Sequence, residues 1–146
     1  MNINNANLRI RLRDELIKEA KIHTERNRRG GYGPNPAGNH PNNYDYSANL
    51  IQQIALKALK IDLPRTSKAQ WHDGPGQRVK VERLFRADLI FFSPKGGDEA
   101  IHVGIYIGQR MMINVHVDGW VQLDNIDNFK HYFGLRVLGG RRLIHS

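Results

Sequence analysis

At 146 residues the chain is long enough for one domain with a real core and too short for two. With 40% hydrophobic and 25% charged residues, a mean hydropathy of −0.57 and no apolar run near the roughly 18 residues of a membrane helix, it reads as a soluble globular protein without a membrane span. Zero cysteines exclude disulfides, thiolate metal sites and thiol catalysis, while a formal charge of +8 favours an anionic partner: a nucleic acid, an acidic wall polymer or a membrane surface. A merely solubilising surface is the plain alternative.

The first seven residues carry neither the positive start nor the apolar stretch of a secretory signal, so localisation stays open. From Asn7 to about Arg26, Leu8, Leu12, Leu16, Ile17 and Ala20 recur at three- and four-residue steps, which predicts an amphipathic helix packed on the core. Its other face carries Arg9, Arg11, Arg13, Lys18 and Lys21 and reads as solvated. Periodicity then stops in a Gly/Pro-rich loop from Arg26 to Pro41, long enough to be mobile or to wall a binding site.

Asp45 is suited to cap a second helix over Tyr46 to Lys60, whose Ala48, Leu50, Ile51, Ile54, Ala55, Ala58 and Leu59 give it a broad buried face. After Pro64, Thr66 or Ser67 can cap a short turn towards Trp71, and residues 72–76 read as a loop. Strand patterns follow at Asp88–Phe92, Ile101–Ile107, Met111–Val117 and Trp120–Leu123, with Asp118-Gly119 as a hairpin turn. One helical turn is expected within Asp124–Lys130, and a last strand over Tyr132–Leu143, broken at Gly139-Gly140. The four strands from Asp88 to Leu123 read as an antiparallel meander, and helices first with strands afterwards predict an α+β fold, N-terminal helices packed on one C-terminal antiparallel β-sheet.

Five segments in order carry a resemblance: Asp45-Tyr46-Ser47-Ala48; Leu63-Pro64-Arg65-Thr66-Ser67 with Gln70; Ala87 to Phe92; His102-Val103-Gly104-Ile105-Tyr106-Ile107-Gly108; and Met112-Ile113-Asn114. Together they resemble the NlpC/p60 family of papain-like cell-wall peptidases, over about residue 30 to the end. The resemblance implies an α+β fold of the papain-like type, with residues 1–29 as an added helix and 30–146 as the family-like domain, forming one structural unit. It also implies hydrolysis of peptidoglycan stem peptides by a cysteine after the aspartate, a histidine opening the HVGIY-like strand and a third polar residue on the next strand. Carried over, these positions are Tyr46, His102 and Asn114, with His116, on the same face of its strand, as the competitor for the third. A phenol keeps its proton at neutral pH and is far bulkier than a thiol. Ser47, one residue along the helix, points roughly 100° away and is a poor substitute.

The resulting expectation is a catalytically inactive peptidoglycan-binding or scaffolding module. The alternatives are a wall endopeptidase of a phage tail or secreted effector, seen in inactivated form, and a basic nucleic-acid-binding domain. Peptidoglycan or another anionic wall polymer is the expected partner, with a phage-tail or secretion-system protein as a further one; the cell envelope, the exterior or a virion is the implied location. Tyr32, Tyr44 and Trp71 are candidate stacking residues, and Asp45, Ser47 and His116 candidate polar contacts. No metal spacing links His23, His40, His72, His131 and His145, and the glycine-rich loop is no nucleotide cradle, so no cofactor is expected.

Overall fold

The structure is a computed structural model that describes residues 2–28, 45–116 and 119–144. Helix α1 spans Asn2–Arg28, longer than the periodicity alone suggested. Leu16, Ile17 and Ala20 enter the core as expected, whereas Leu8 lines an open cleft with Leu59 and Ile61. Helix α2 spans Asp45–Leu59, so it starts one residue before the expected position and ends one residue earlier. Lys60 closes it with a left-handed backbone (φ 58°) while its N–H bonds back to Leu56 O at 3.1 Å. The loop before α2, with Tyr32 and Tyr44, and the side chain of Asp45 lie outside the described residues.

Helix α3 (Ser67–Asp73) is capped by Thr66, whose Oγ1 accepts from Ala69 N at 3.1 Å. Gln70 reaches from it to donate to Ala48 O (3.1 Å) and Pro64 O (2.9 Å), joining α3 to the first turn of α2. Six strands follow: β1 (Gln77–Val79), β2 (Leu89–Pro94), β3 (His102–Gly108), β4 (Met111–Val115), β5 (Val121–Asn125) and β6 (Leu135–Arg142). They form one antiparallel sheet in the order β1-β6-β2-β3-β4-β5.

The four strands expected as a meander are β2 through β5, each paired with the next. The last strand returns to pair with β2, because α4 (Ile126–Phe133) carries the chain back across one face of the sheet. This helix is two turns rather than one. Asn125 caps its start and Gly134, left-handed at φ 67°, its end. Ile126 and Phe129 of α4 pack on Ile90, Phe92, Met112 and Leu135, while Leu89, Phe91, Val103, Ile105, Ile113 and Val115 face the layer of α1, α2 and α3. Strand β2 is thus buried on both faces.

Strand β6 runs unbroken through Gly139-Gly140. The pair is accommodated by a bulge, with Phe91 opposite Gly139 and Phe92 opposite Val137, and Gly139 takes φ 145°. A Cβ built on Gly140 would lie 2.6 Å from Leu89 O, so this position needs a glycine for close approach of neighbouring backbone. Arg141, buried beside it, donates to Trp71 O at 3.0 Å and His72 O at 3.3 Å, fastening β6 to the end of α3. A Gly140→Ala substitution is expected to lower stability by about 1–3 kcal/mol through overpacking against β2. Urea denaturation monitored by tryptophan fluorescence is the check, and an unchanged midpoint would refute it.

Candidate functional site

His102 opens β3 directly opposite Phe92, so its side chain falls on the α4 face of the sheet. Its ring stacks on Phe129 with centroids 5.0 Å apart and an interplanar angle of 25°. Asn114 sits on β4 on the same face, and its Oδ1 lies 2.7 Å from His102 Nε2. The asparagine's other end is committed: Nδ2 donates to Asp124 Oδ2 at 2.8 Å and Gln122 O at 3.3 Å. With both acceptors on the Nδ2 side, Oδ1 must face the imidazole, and Nε2 must therefore carry the proton. The lone pair is left on Nδ1.

Gly104 is what brings these side chains together. A Cβ there would lie 2.7 Å from Met112 Sδ and 3.3 Å from Asn114 Cβ, so any larger residue would press on the asparagine. Asp124 was not among the residues singled out from sequence. It lies on β5 opposite Met112, one step past the expected end of that strand, and accepts from both Asn114 and His116 Nε2, the latter at 2.7 Å. His116 thus bonds to Asp124, while the imidazole of His102 bonds to Asn114. The signal for Asp124 was the hairpin register: pairing Val115 with Val121 also pairs Asn114 with Gln122 and sets Asp124 diagonally beside the asparagine. Phe129 was missed with it, because the α4 pattern Ile126, Phe129, Phe133 was read as one turn only.

At this end of the sheet α2 begins. Ser47 Oγ accepts from Val115 N at 2.9 Å, which ties the first turn of α2 to the end of β4 and leaves that hydroxyl buried. Tyr46, 6% exposed, belongs to the core cluster with Val103 and Val115. Trp71 is spent on packing, with Phe91 at 5.3 Å and the Arg78 guanidinium 4.3 Å over its ring. Among the described residues no three His, Asp or Glu side chains converge as metal ligands would.

Burial is the main influence on His102 and pushes its pKa from 6.5 down to about 4, with the Asn114 hydrogen bond opposing only in part. Asp124 is held below the ordinary carboxylate range: its burial acts upwards, and the hydrogen bonds from His116 and Asn114 together outweigh it. The imidazole of His102 is neutral at pH 7, with its proton donor role already assigned.

An unfolded imidazole takes its proton near 6.5, but folded His102 does so only near about 4. The unfolded chain therefore binds more protons between these values. The stability associated with neutral burial is complete above 6.5 and declines as pH falls through this window to the folded value. His102→Asn is expected to flatten that part of the curve in urea denaturation across the window. An identical slope in the variant would show that other groups cause it.

The family model described as "NlpC/P60 family" matches residues 34–142. The chain is 36% identical over 111 residues to the probable endopeptidase p60 of Listeria welshimeri, covering 76% of this chain and 19% of that protein. It is 29% identical over 91 residues to the murein DD-endopeptidase MepH of Escherichia coli, covering 60% of this chain and 34% of that one. The chain thus spans only about a fifth of the length of the Listeria relative. A crystal structure of an NLP/P60-family protein similar to lipoprotein, from Staphylococcus aureus, aligns with a TM-score of 0.65 at 23% identity over 93% of this chain and 42% of that one, a likeness of fold. With the family model covering α2, α3 and all six strands of the sheet, the chain belongs to the NlpC/P60 family.

Proposed function

We propose that this domain binds peptidoglycan without cutting it. The observation that carries the reading is Tyr46 in the first turn of α2, the position at which the family resemblance puts a cysteine, in a chain that has no cysteine anywhere. Peptide hydrolysis on this scaffold needs a thiolate held at a helix start and an imidazole to exchange its proton. Here the imidazole is present and the thiol is not. The names of the relatives, an endopeptidase p60 and a murein DD-endopeptidase, support peptidoglycan as the polymer recognised. By the same reasoning the domain acts at the cell envelope or outside the cell.

A second reading has its own observation. His102 and Asn114 lie 2.7 Å apart, with the asparagine fixed from behind by Asp124, which is the arrangement a working thiol would use. That supports an endopeptidase represented in inactivated form, restorable at one position.

Incubation of the protein with purified sacculi, followed by mass spectrometry of the soluble muropeptides, separates the two. The protein itself is expected to sediment with sacculi and to release no new fragments. Cleavage products that vanish in His102→Ala would refute the non-cutting reading. Tyr46→Cys is expected to restore at most partial cleavage, since about 1 Å of misplacement can cost on the order of a hundredfold in rate. Turnover at the level of active family members would favour the inactivated peptidase instead.

A further inference from the structure

The last turn of α4 brings two aromatic rings to the surface. Ile126 and Phe129 satisfy the packing of this helix, yet Tyr132 is 80% exposed and Phe133 39% exposed. The two rings touch, with centroids 4.8 Å apart. Phe133 in turn meets Phe129 at 4.8 Å and stands edge-on to His116 at 5.8 Å, and Phe129 lies against His102. A continuous wall of rings therefore runs from open solvent to the His102 imidazole.

Beside that wall is a cleft of about 270 Å³ lined by His116, Asp124, Asn128, Phe129, Tyr132 and Phe133. Two polar groups in it have capacity left. Asp124 takes both of its hydrogen bonds on Oδ2, and Oδ1 accepts none from the described residues. Asn128 uses its backbone N–H to complete the α4 cap, while its side-chain amide has no hydrogen bond among the described residues. A carboxylate oxygen accepts from hydroxyls, and a primary amide both donates and accepts.

An exposed aromatic platform flanked by one acceptor and one two-way amide matches a pyranose ring, which offers a flat C–H face and a rim of hydroxyls. The volume admits one ring with its substituents. An extended peptide fits less well, because its backbone N–H and C=O groups need a run of partners along a strand, and these groups lie on side chains beside a helix. We propose that this cleft is a glycan subsite, in which a pyranose unit of the peptidoglycan sugar strand stacks on Tyr132 and Phe133 and hydrogen-bonds to Asp124 Oδ1 and the Asn128 amide. The choice of polymer rests on the peptidoglycan reading above; the sugar-binding geometry does not.

The test is a titration of the intact protein with a β-1,4-linked N-acetylglucosamine tetramer, followed by ¹H–¹⁵N NMR, with sedimentation on sacculi run in parallel. Saturable shifts centred on residues 124–133 are expected. Tyr132→Ala should weaken tetramer binding by about tenfold, while Tyr132→Phe, which keeps the ring, should stay within about twofold. Tyr132 is so exposed that both variants should fold, and their spectra report it directly. No binding, shifts elsewhere, or equal affinity for Tyr132→Ala would overturn the subsite. So would displacement of these shifts by free stem peptide, which would make the cleft a peptide pocket, or a dimer lost in Tyr132→Ala, which would make it a protein interface. Sacculus binding without tetramer binding refutes the subsite and leaves the peptidoglycan reading standing; tetramer binding without sacculus binding does the reverse.

Discussion

Strand β2 cannot slip. It is paired on both edges and buried on both faces, with Leu89 and Phe91 turned to the helical layer and Ile90 and Phe92 to α4. A shift of one residue would exchange the two sets and present each to a surface shaped for the other. The position of His102 follows from that register, because Phe92 lies opposite it and fixes the face on which the imidazole stands. Asn114 and Asp124 then fall on the same face through the β3–β4 and β4–β5 pairings. Helix α2 packs on the opposite face, so it can approach the histidine only at the end of the sheet, where Ser47 holds Val115.

Two histidines share one carboxylate, by different routes. His116 meets Asp124 directly, and His102 meets it only through the amide of Asn114. A carboxylate against an imidazole favours the charged ring, whereas a neutral amide can orient a ring without paying for its charge. Inserting Asn114 therefore lets His102 be fixed in direction and tautomer while burial keeps it neutral. The aromatic ring of Phe129, stacked on the imidazole, adds to that desolvation.

The fold class, α2, the Thr66 cap and the four-strand run from β2 to β5 could be read from periodicity and turn chemistry, because each depends on local pattern. The placing of β6 beside β2 could not, since it depends on α4 crossing the sheet and on a bulge that tolerates Gly139 and Gly140. At the site, sequence left Asn114 and His116 as competitors because both fall on one face of the strand expected over Met111–Val117. The cross-strand geometry, which sequence does not display, sets both against Asp124 and only Asn114 against the imidazole of His102. Tyr132 and Phe133 carried no legible signal, since exposed and buried aromatics look alike until the helix is docked.

The His102–Asn114 pair is by itself weak testimony for catalysis, for a physical reason. Asn114 is 1% exposed and His102 8% exposed, and each satisfies a polar atom of the other. Removing the imidazole would leave Asn114 Oδ1 buried without a donor, at a cost of about 1–3 kcal/mol. Removing the amide would strand a ring N–H and withdraw one donor from Asp124 as well. The relay is locked by its own hydrogen bonds, so it holds for stability alone, whatever chemistry it serves. Tyr46, in the first turn of α2, is buried with the core cluster that includes Val103 and Val115.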